Sequence, residues 1–299
     1  MKKFFKIFGI VVGLLVVGGG VYAWMVFDAA SDLVEAIYNP IPDRQEVREE
    51  EIILGEDPIS VLLLGIDREE FQTGGRSDTM MVVTINPNDN STIILSIARD
   101  TLVTLAGRGT QERINHAYAW GGVQMAIETV ENFLDIPIDF YVELDMNGFG
   151  SLIDAVGGIT VENDIPFTFH DMHFAAGEIS LNGTQALGFV RSRYEDGRGD
   201  FGRQMRQRNV IEALGREAVV AGLTRFNQIF DAAENYLLTT FTMSDITNLF
   251  MHYTGAIRDI TQLDMQGFSS MINGMYVQII PEEQLSEMQE LLQVHLELN

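Results

Sequence analysis

Residues 60–65, Ser-Val-Leu-Leu-Leu-Gly, are the stretch from which the fold can be predicted. An uninterrupted apolar run of this length that ends in glycine is typical of a fully buried strand. A second run, rich in Met, Val, Thr and Ile, covers residues 79–86, and a third covers 92–97. The Pro-Asn-Asp-Asn segment at 87–90 predicts a turn between them, so these two strands are expected to form a hairpin. A sheet therefore begins the folded domain.

Helices and further strands are predicted along the rest of the chain. Apolar residues recur at helical intervals, and helices are predicted at 122–134, 148–156, 203–221, 227–239, 244–256 and from 281 onward. Short strands are predicted at 139–144 and 159–162. Because strands and helices mix around one core, the predicted fold class is α/β (α+β), a central mixed β-sheet flanked by helices. Residues 58–299 are expected to form this domain.

The N-terminal segment predicts a membrane anchor. Residues 7–27 are uncharged and mostly apolar, and a helix of this length spans a hydrocarbon core of about 30 Å. Lysines lie in residues 1–6 and acidic residues follow the segment, so the positive-inside rule predicts a single-pass protein of the cell membrane with a cytoplasmic tail at 1–6 and an extracellular domain. A cleaved signal peptide is the alternative, but the apolar run exceeds the roughly 7–15 residues of such a peptide. Residues 28–57 are expected to form a stalk.

The distribution of charge limits the classes of function. A formal net charge of −24 argues against a general nucleic-acid binder, and the lack of cysteine excludes cysteine-based metal or redox sites. All lysines lie in the first six residues, and six arginines lie between residues 191 and 208. The planar guanidinium group binds phosphate oxygens in pairs and stays charged at any working pH, so this group predicts an anion site. An exposed helix face with ion pairs is the alternative.

Acidic residues lie at the ends of the first two predicted strands. Asp67 follows the first strand, Asp78 precedes the second, and Arg76 lies two residues from Asp78. Carboxylates on adjacent strand ends can share a hard cation, and Mg²⁺ takes one or two carboxylates together with substrate phosphates. The alternative is a loop with Asx turns and ion pairs. Arg99 and Asp100 follow the third strand and are expected to emerge at the edge of the same sheet.

The arginine-rich segment can close on one anion from two sides. Arg191 and Arg193 point to one face if their segment is extended, because the side-chain period of a strand is two. Arg203 and Gln207 lie four residues apart and share a face of the predicted helix. Positive charges held together repel strongly unless a multivalent anion lies between them. A diphosphate suits that need better than a single carboxylate.

Seven short motifs, in this order and spacing, resemble those of the LytR-CpsA-Psr family, the cell-wall phosphotransferases of Gram-positive bacteria. They are Gly-Ile-Asp at 65–67, Arg-Ser-Asp-Thr-Met at 76–80, Ser-Ile-Ala-Arg-Asp-Thr at 96–101, Arg-Ile-Asn-His-Ala-Tyr at 113–118, Gly-Gly-Ile at 157–159, Leu-Asn-Gly-Thr-Gln-Ala-Leu at 181–187 and the run 191–207. The resemblance is strongest over 58–220, and the N-terminal anchor fits the family plan. Ala98 stands where the family usually has proline, and Arg113 where it usually has lysine; neither change removes a charge.

The resemblance implies a role for each candidate residue. Asp67 and Asp78 would hold Mg²⁺, or Mn²⁺ in its place, and the catalytic group would comprise Asp67, Asp78, Arg99 and Asp100. The lipid diphosphate would be bound by Arg76, Arg99, Arg191, Arg193, Arg203 and Gln207, with Asp200 orienting the arginines. The polyprenyl tail would lie in an apolar tunnel between the sheet and the helices.

The function implied by the resemblance is phosphotransfer outside the cell membrane. A glycopolymer, of the teichoic acid or capsular polysaccharide type, would move from a polyprenyl-diphosphate lipid to a peptidoglycan hydroxyl, without nucleic acid as a partner. Asp67, Asp78 or Asp100 would accept the hydroxyl proton. The alternatives are a non-enzymatic lipid-diphosphate-binding scaffold, a diphosphate hydrolase and a transcription attenuator. The extracellular placement, the charge and the lack of a helix-turn-helix segment oppose the last of these.

Overall fold

A mixed sheet forms the centre of the protein. The strands are β1 (Ile59–Asp67), β2 (Arg76–Asn86), β3 (Ser91–Ser96), β4 (Leu102–Thr104), β5 (Gln111–Arg113), β6 (Phe140–Asp145), β7 (Ile159–Asn163), β8 (Phe167–Phe169), β9 (Met172–Phe174), β10 (Gly177–Leu181), β11 (Leu237–Thr239), β12 (Asp259–Asp264), β13 (Phe268–Ile272) and β14 (Met275–Ile279). The computed structural model describes residues 31–42, 44, 48, 52–67, 75–222 and 226–298. Within these ranges the central sheet has six strands in the order β11-β6-β1-β2-β3-β12. The pairs β1–β6 and β3–β12 are parallel, and the other pairs are antiparallel.

Helices cover both faces of the sheet. The helices are α1 (31–37), α2 (His116–Leu134), α3 (Met146–Val156), α4 (Gly183–Arg191), α5 (Asp200–Ala221), α6 (Phe226–Ala233), α7 (Met243–Asn248) and α8 (Glu282–His295). A π-helical segment, Leu249–Tyr253, and a 3₁₀ segment, Thr254–Arg258, continue from α7. Gly121 and Gly122 have non-helical dihedral angles, so α2 is kinked within its first two turns.

The alternation of side chains along β1 divides the core between the two sheet faces. Leu62, Leu64 and Ile66 are at most 1% exposed and belong to the cluster that contains side chains of α2 and α8. Val61 belongs to the cluster on the opposite face, with Ile246 of α7. A third cluster lies between α3, α4, α5 and the strands β7–β10. Each fully buried aliphatic side chain contributes about 1.5–3 kcal/mol relative to an exposed one, so the strands that end at the site are firmly held.

A close approach of two glycines fixes α4 against α3. A Cβ atom on Gly183 would lie 2.0 Å from the carbonyl oxygen of Gly150, so only glycine fits at this crossing. Asn182 caps α4 through a capping box with Gln185, in which each side chain accepts a hydrogen bond from the other residue's backbone N–H. The motif at 181–187 therefore sets the direction in which the chain leaves α4 toward the arginine-rich segment.

The predicted fold class is confirmed as a mixed α/β domain whose central sheet is flanked by helices, and the β2–β3 hairpin forms as expected. The helix predicted at 227–239 is wrong from residue 234 onward. There α6 ends at Ala233, and Leu237–Thr239 pairs with β6 as an edge strand. The open backbone groups of β6 outweigh local helical spacing at this position. The predicted helix at 244–256 is likewise divided among α-, π- and 3₁₀-helical segments.

Part of the segment predicted to be a stalk packs on the domain. Ile37 of α1 is fully buried. Arg44 forms an ion pair with Glu131 at 2.6 Å, and Arg48 forms one with Asp139 at 2.8 Å. The predicted anchor at 7–27 lies outside the described residues, and among those that are described no helix has the length and apolar character needed to span a membrane.

Candidate functional site

A β-bulge places Asp78 at the edge of the sheet. Gly65 pairs with Thr79 and Ile66 pairs with Ser77, so Asp78 has no partner in the register of β1 and β2. A bulge of this kind re-aims the side chain of the extra residue. The carboxylate of Asp78 is about one-third exposed, and its Oδ1 lies 2.9 Å from Nη1 of Arg99. Two candidate residues from the sequence, Asp78 and Arg99, are therefore in contact.

Asp100 connects Arg99 to a second arginine. Its Oδ1 accepts a hydrogen bond from Nη1 of Arg113 at 3.1 Å, and its Oδ2 lies 3.9 Å from Nε of Arg99. Arg113 also donates to Nε2 of His116 at 2.7 Å, and Nδ1 of His116 lies 2.6 Å from a carboxylate oxygen of Glu112. The hydrogen bond from His116 is the main reason that the pKa of Glu112 lies below its ordinary value. Both ring nitrogens of His116 therefore have partners, and the histidine connects Glu112 to Arg113.

A second group of charges comes from the start of α5. Oδ1 of Asp200 lies 2.6 Å from Nη2 of Arg203 and 3.5 Å from Nε of Arg193. Arg203 is largely buried and Arg193 is partly exposed. Asp200 therefore contacts both arginines, and the orienting role that the family resemblance implies stays a prediction.

The two groups are electrostatically coupled and form one site. Burial lowers the pKa of Arg203, and the positive charges of Arg99 and Arg193 lower it further. Burial also acts against the charged form of Arg99, but Asp78 and other nearby carboxylates outweigh it, so the pKa of Arg99 is raised. A guanidinium stays protonated after either shift. We use the term arginine cluster for the set Arg99, Arg193 and Arg203 with Asp78, Asp100 and Asp200.

The arginine cluster has unused hydrogen-bond donors. The Nε atoms of Arg99, Arg193 and Arg203 are buried and have no hydrogen-bond partner. Their contacts with carboxylates, where present, are 3.5 Å or longer, which is too long for a strong hydrogen bond. Buried donors are nearly always satisfied in folded proteins. Three N–H groups without a partner, on three cations that lie together, can donate to an anion, although Oδ1 of Asp200 also lacks a hydrogen-bond partner.

An apolar cavity of about 280 Å³ lies beside the cluster, between the sheet and the helices α3 and α5. Its α5 wall consists of Gln207, Ile211, Leu214, Gly215 and Ala218. Gln207 lies one turn after Arg203 and donates a hydrogen bond of 2.8 Å to the hydroxyl of Thr79 on the opposite wall. The charged site therefore adjoins one end of the cavity, and the remainder of the lining is almost wholly apolar. The sequence alone does not predict a role for Thr79, because its place at the site depends on the contact with the distant Gln207.

Two predicted ligands of the anion lie outside the cluster. Arg191 is the last residue of α4 and is exposed. The extended segment expected at Arg191 and Arg193 is thus wrong, because Ser192 is the C-cap of a helix and the period-two argument does not apply. Arg76 begins β2 with an exposed side chain.

The backbone brings the two predicted metal ligands to neighbouring strand ends. Asp67 pairs in register with Arg76, two residues before Asp78, although the side chain of Asp67 lies outside the described part of the structure. Arg99 contacts Oδ1 of Asp78, and carboxylate oxygens are the donors that Mg²⁺ prefers. The residue types therefore fit a hard cation. No group of three or more histidine, aspartate or glutamate side chains suited to a metal occurs in the described ranges.

The remaining arginines of the 191–208 segment have structural partners. Arg206 is fully buried, donates to the backbone carbonyls of Phe189 and Ser192, and forms an ion pair with the equally buried Asp196. Arg198 binds the same Asp196. Arg208 pairs with a carboxylate of β12. These three arginines form ion pairs within the fold, as the alternative interpretation expected, but Arg206 and Arg208 are buried and do not lie on an exposed helix face.

The fold and the site define a class of protein in which an arginine-rich anion site adjoins an apolar cavity between a mixed sheet and its helices. The model of the LytR_cpsA_psr family matches residues 25–294 of this chain. The chain is 40% identical over 289 residues to the polyisoprenyl-teichoic acid–peptidoglycan teichoic acid transferase TagU of Bacillus subtilis (strain 168), covering 96% of this chain and 94% of TagU. The protein belongs to the LytR-CpsA-Psr family.

Solved structures support the same relationship. A crystal structure from Enterococcus faecalis, described as a transcriptional regulator (EF0465), has a TM-score of 0.75 and 42% identity, and covers 81% of this chain and 89% of its own. A structure of TagT bound to LI-WTA has a TM-score of 0.73 and 28% identity, and covers 85% of this chain and 97% of its own. The fold of this chain is therefore the fold of the family.

Proposed function

We propose that this protein is a phosphotransferase that moves a glycopolymer, of the teichoic acid or capsular polysaccharide type, from a polyprenyl-diphosphate lipid to peptidoglycan. One observation carries the proposal: the unsatisfied guanidinium donors of the arginine cluster lie at one end of an apolar cavity. A lipid diphosphate has this same combination of a multivalent anion and an apolar chain. The proposal is supported by the name of the relative TagU, a teichoic acid transferase.

In this proposal each part of the site binds one part of the donor. The diphosphate lies between Arg99 on the sheet side and Arg193 and Arg203 on the α5 side. The exposed side chains of Arg76 and Arg191 contact it from the rim. The prenyl chain follows the cavity along α5 from Gln207 to Ala218, a distance of about 16 Å at the rise of an α-helix. The polymer then extends into solvent, where a glycan acceptor can approach.

The transfer exchanges one phosphorus–oxygen bond for another. An acceptor hydroxyl oxygen attacks the phosphorus that carries the polymer, and the bond from that phosphorus to the bridging oxygen breaks. The prenyl phosphate leaves with the electron pair, and the arginine cluster neutralises the charge that develops on it. The hydroxyl proton passes to a carboxylate, for which Asp67, Asp78 and Asp100 are the candidates. Catalysis of this kind is mainly positioning and charge stabilisation.

A divalent cation suits this chemistry. Asp67 and Asp78 would hold Mg²⁺, or Mn²⁺ in its place. Bound there, the cation would withdraw electrons from the non-bridging oxygens of the diphosphate. The carboxylate of Asp78 is about one-third exposed, so a cation could reach it beside Arg99. The predicted anchor at 7–27 would keep the domain at the outer face of the cell membrane, beside the lipid substrate.

Transfer from purified lipid-linked polymer to a glycan acceptor tests the proposal. Arg203→Ala and Arg193→Ala are each expected to lower the rate by about 100-fold or more, the usual effect of removing one charge-stabilising donor. Arg216→Ala is the matched control, because Arg216 lies on the same helix with only a local ion pair to Glu212. Excess chelator is expected to stop transfer by the wild type. Full activity in both cluster variants would refute the proposal, and lipid binding without product would favour the scaffold alternative.

A further inference from the structure

The loop between α4 and α5 presents one exposed aromatic ring in a fixed position. Tyr194 is 71% exposed, more than any other aromatic side chain in the described residues. Its backbone N–H donates to the carboxylate of Glu195 at 2.8 Å, and so does that of Arg193. The hydroxyl of Ser192 donates to the same carboxylate at 2.8 Å. These three hydrogen bonds hold the backbone on both sides of the exposed ring.

The loop is also tied to the core beneath it. Arg206 is fully buried and donates to the carbonyl of Ser192, and its ion pair with Asp196 fixes the other end of the turn. Asp196 in turn accepts hydrogen bonds from Arg198. These contacts restrain the backbone that carries the exposed ring. Little backbone entropy is therefore lost when a ligand packs on the ring.

The ring of Tyr194 lies directly beside the arginine cluster. The guanidinium carbon of Arg193 is 5.2 Å from the ring centroid, in a cation–π arrangement, and Nε of Arg193 is 3.5 Å from Asp200. One face of the ring is turned to this guanidinium, while most of the side chain stays open to solvent. A group bonded to a phosphate at Arg193 would therefore lie close enough to contact the ring of Tyr194.

We propose that Tyr194 packs against the sugar bonded to the diphosphate and so forms a donor-sugar subsite. The apolar C–H face of a pyranose matches the flat face of an aromatic ring, and the phenol hydroxyl can exchange hydrogen bonds with sugar hydroxyls. The subsite rests on the proposed function, because the phosphate at Arg193 defines where the sugar begins. It gives the protein a means to prefer a lipid that carries polymer over a bare lipid diphosphate.

Tyr194 could instead have a purely structural role. Binding of a lipid with a sugar and of a lipid without one distinguishes that role from a sugar subsite. If the ring only keeps Arg193 in place, its loss weakens binding of every diphosphate lipid equally. The test measures Kd for a bare polyprenyl diphosphate and for the same lipid bearing one hexose, both in detergent micelles. The variants are Tyr194→Ala and Tyr194→Phe. Trp120→Ala is the matched control, because Trp120 is another exposed aromatic stacked on an arginine, Arg108, at 4.4 Å.

We expect Tyr194→Ala to raise the Kd for the sugar-bearing lipid by about fivefold to tenfold, a typical effect of losing one aromatic contact. The Kd for the bare lipid should not change. Tyr194→Phe should keep most of the affinity, and Trp120→Ala should behave as wild type. Equal weakening for both lipids, or no weakening for either, overturns the subsite while the proposed function stands. Failure of the wild type to bind either lipid overturns the proposed function and the subsite with it.

Discussion

Filling the apolar cavity should separate lipid binding from folding. Gly215 lies in the interior of α5 and lines the cavity, and a Cβ atom built on it meets no atom within 4 Å. It lies eight residues beyond Gln207, which is about 12 Å along the helix from the charged end of the cavity. The substitution Gly215→Leu therefore places a branched apolar side chain where the prenyl chain would run, without touching the arginine cluster.

The expected magnitudes follow from this geometry. Leucine adds four carbon atoms, and at about 0.8 kcal/mol per buried methylene the displacement of as many prenyl carbons weakens binding by about 3 kcal/mol, on the order of 100-fold in Kd. Removal of a glycine from a helix interior stabilises the fold by up to about 1 kcal/mol. For a domain of this size, that gain raises Tm by about 2–4 °C. The variant should thus be more stable than the wild type and yet bind the lipid poorly.

The assay compares a long polyprenyl diphosphate with dimethylallyl diphosphate, whose short chain does not extend to Gly215. Gly215→Leu should lose affinity for the long lipid alone, and Gly215→Ala, which adds one carbon, should gain stability and keep most of the affinity. Thermal unfolding of each variant reports the stability change. Wild-type affinity of folded Gly215→Leu for the long lipid would show that the prenyl chain does not occupy this cavity.

Three further predictions concern the scaffold around the site. Arg206→Ala should destabilise the protein by about 3–5 kcal/mol in denaturant unfolding, because the buried carbonyls of Phe189 and Ser192 would lose their donor and Asp196 would keep Arg198 but lose its buried ion pair; a loss below 1 kcal/mol would contradict this. Gly183→Ala should cost about 1–3 kcal/mol or more, since its Cβ would overlap the carbonyl of Gly150; an unchanged Tm would show that the helices can separate freely. Burial lowers the pKa of His295 below its ordinary value, so the unfolded state binds more protons and stability should fall as pH drops through about 6.5. His295→Gln should flatten the dependence of Tm on pH in that window, and an identical slope would contradict the assignment.

The parts of the fold that depend on local pattern could be predicted from the sequence, and the parts that depend on distant partners could not. The apolar runs of β1, β2 and β3 are buried in the structure as expected, because burial on both faces selects continuous apolar sequence. The strand Leu237–Thr239 was predicted as helix, since its partner β6 is about 95 residues away in the chain. The contact of Thr79 with Gln207 has no sequence signal for the same reason.

The sequence predicts which types of residue form the candidate site, but it does not decide which individual arginines face it. Arg203 and Arg206 lie three positions apart on α5, and either could have faced the ligand. The structure turns Arg206 inward to the buried carboxylate of Asp196, and leaves Arg203 beside Asp200 in the cluster. Only the packing of α5 against its neighbours decides between them. The position of Asp78 likewise depends on a one-residue shift of register, which no pattern of apolar residues specifies.

The carboxylates of the cluster explain how an acidic protein can keep an anion site ready. Three partly buried guanidinium groups without counter-charges would repel one another and lose hydration, at a cost of several kcal/mol. Each of Asp78, Asp100 and Asp200 lies within 4 Å of at least one of these arginines and holds it in place. The Nε donors are buried without a hydrogen-bond partner, so under the proposed function a diphosphate would bind them after a small movement of these side chains. In that proposal the ion pairs have already restricted the arginine side chains, so a larger share of the ligand's interaction energy is available for binding and for charge stabilisation during transfer.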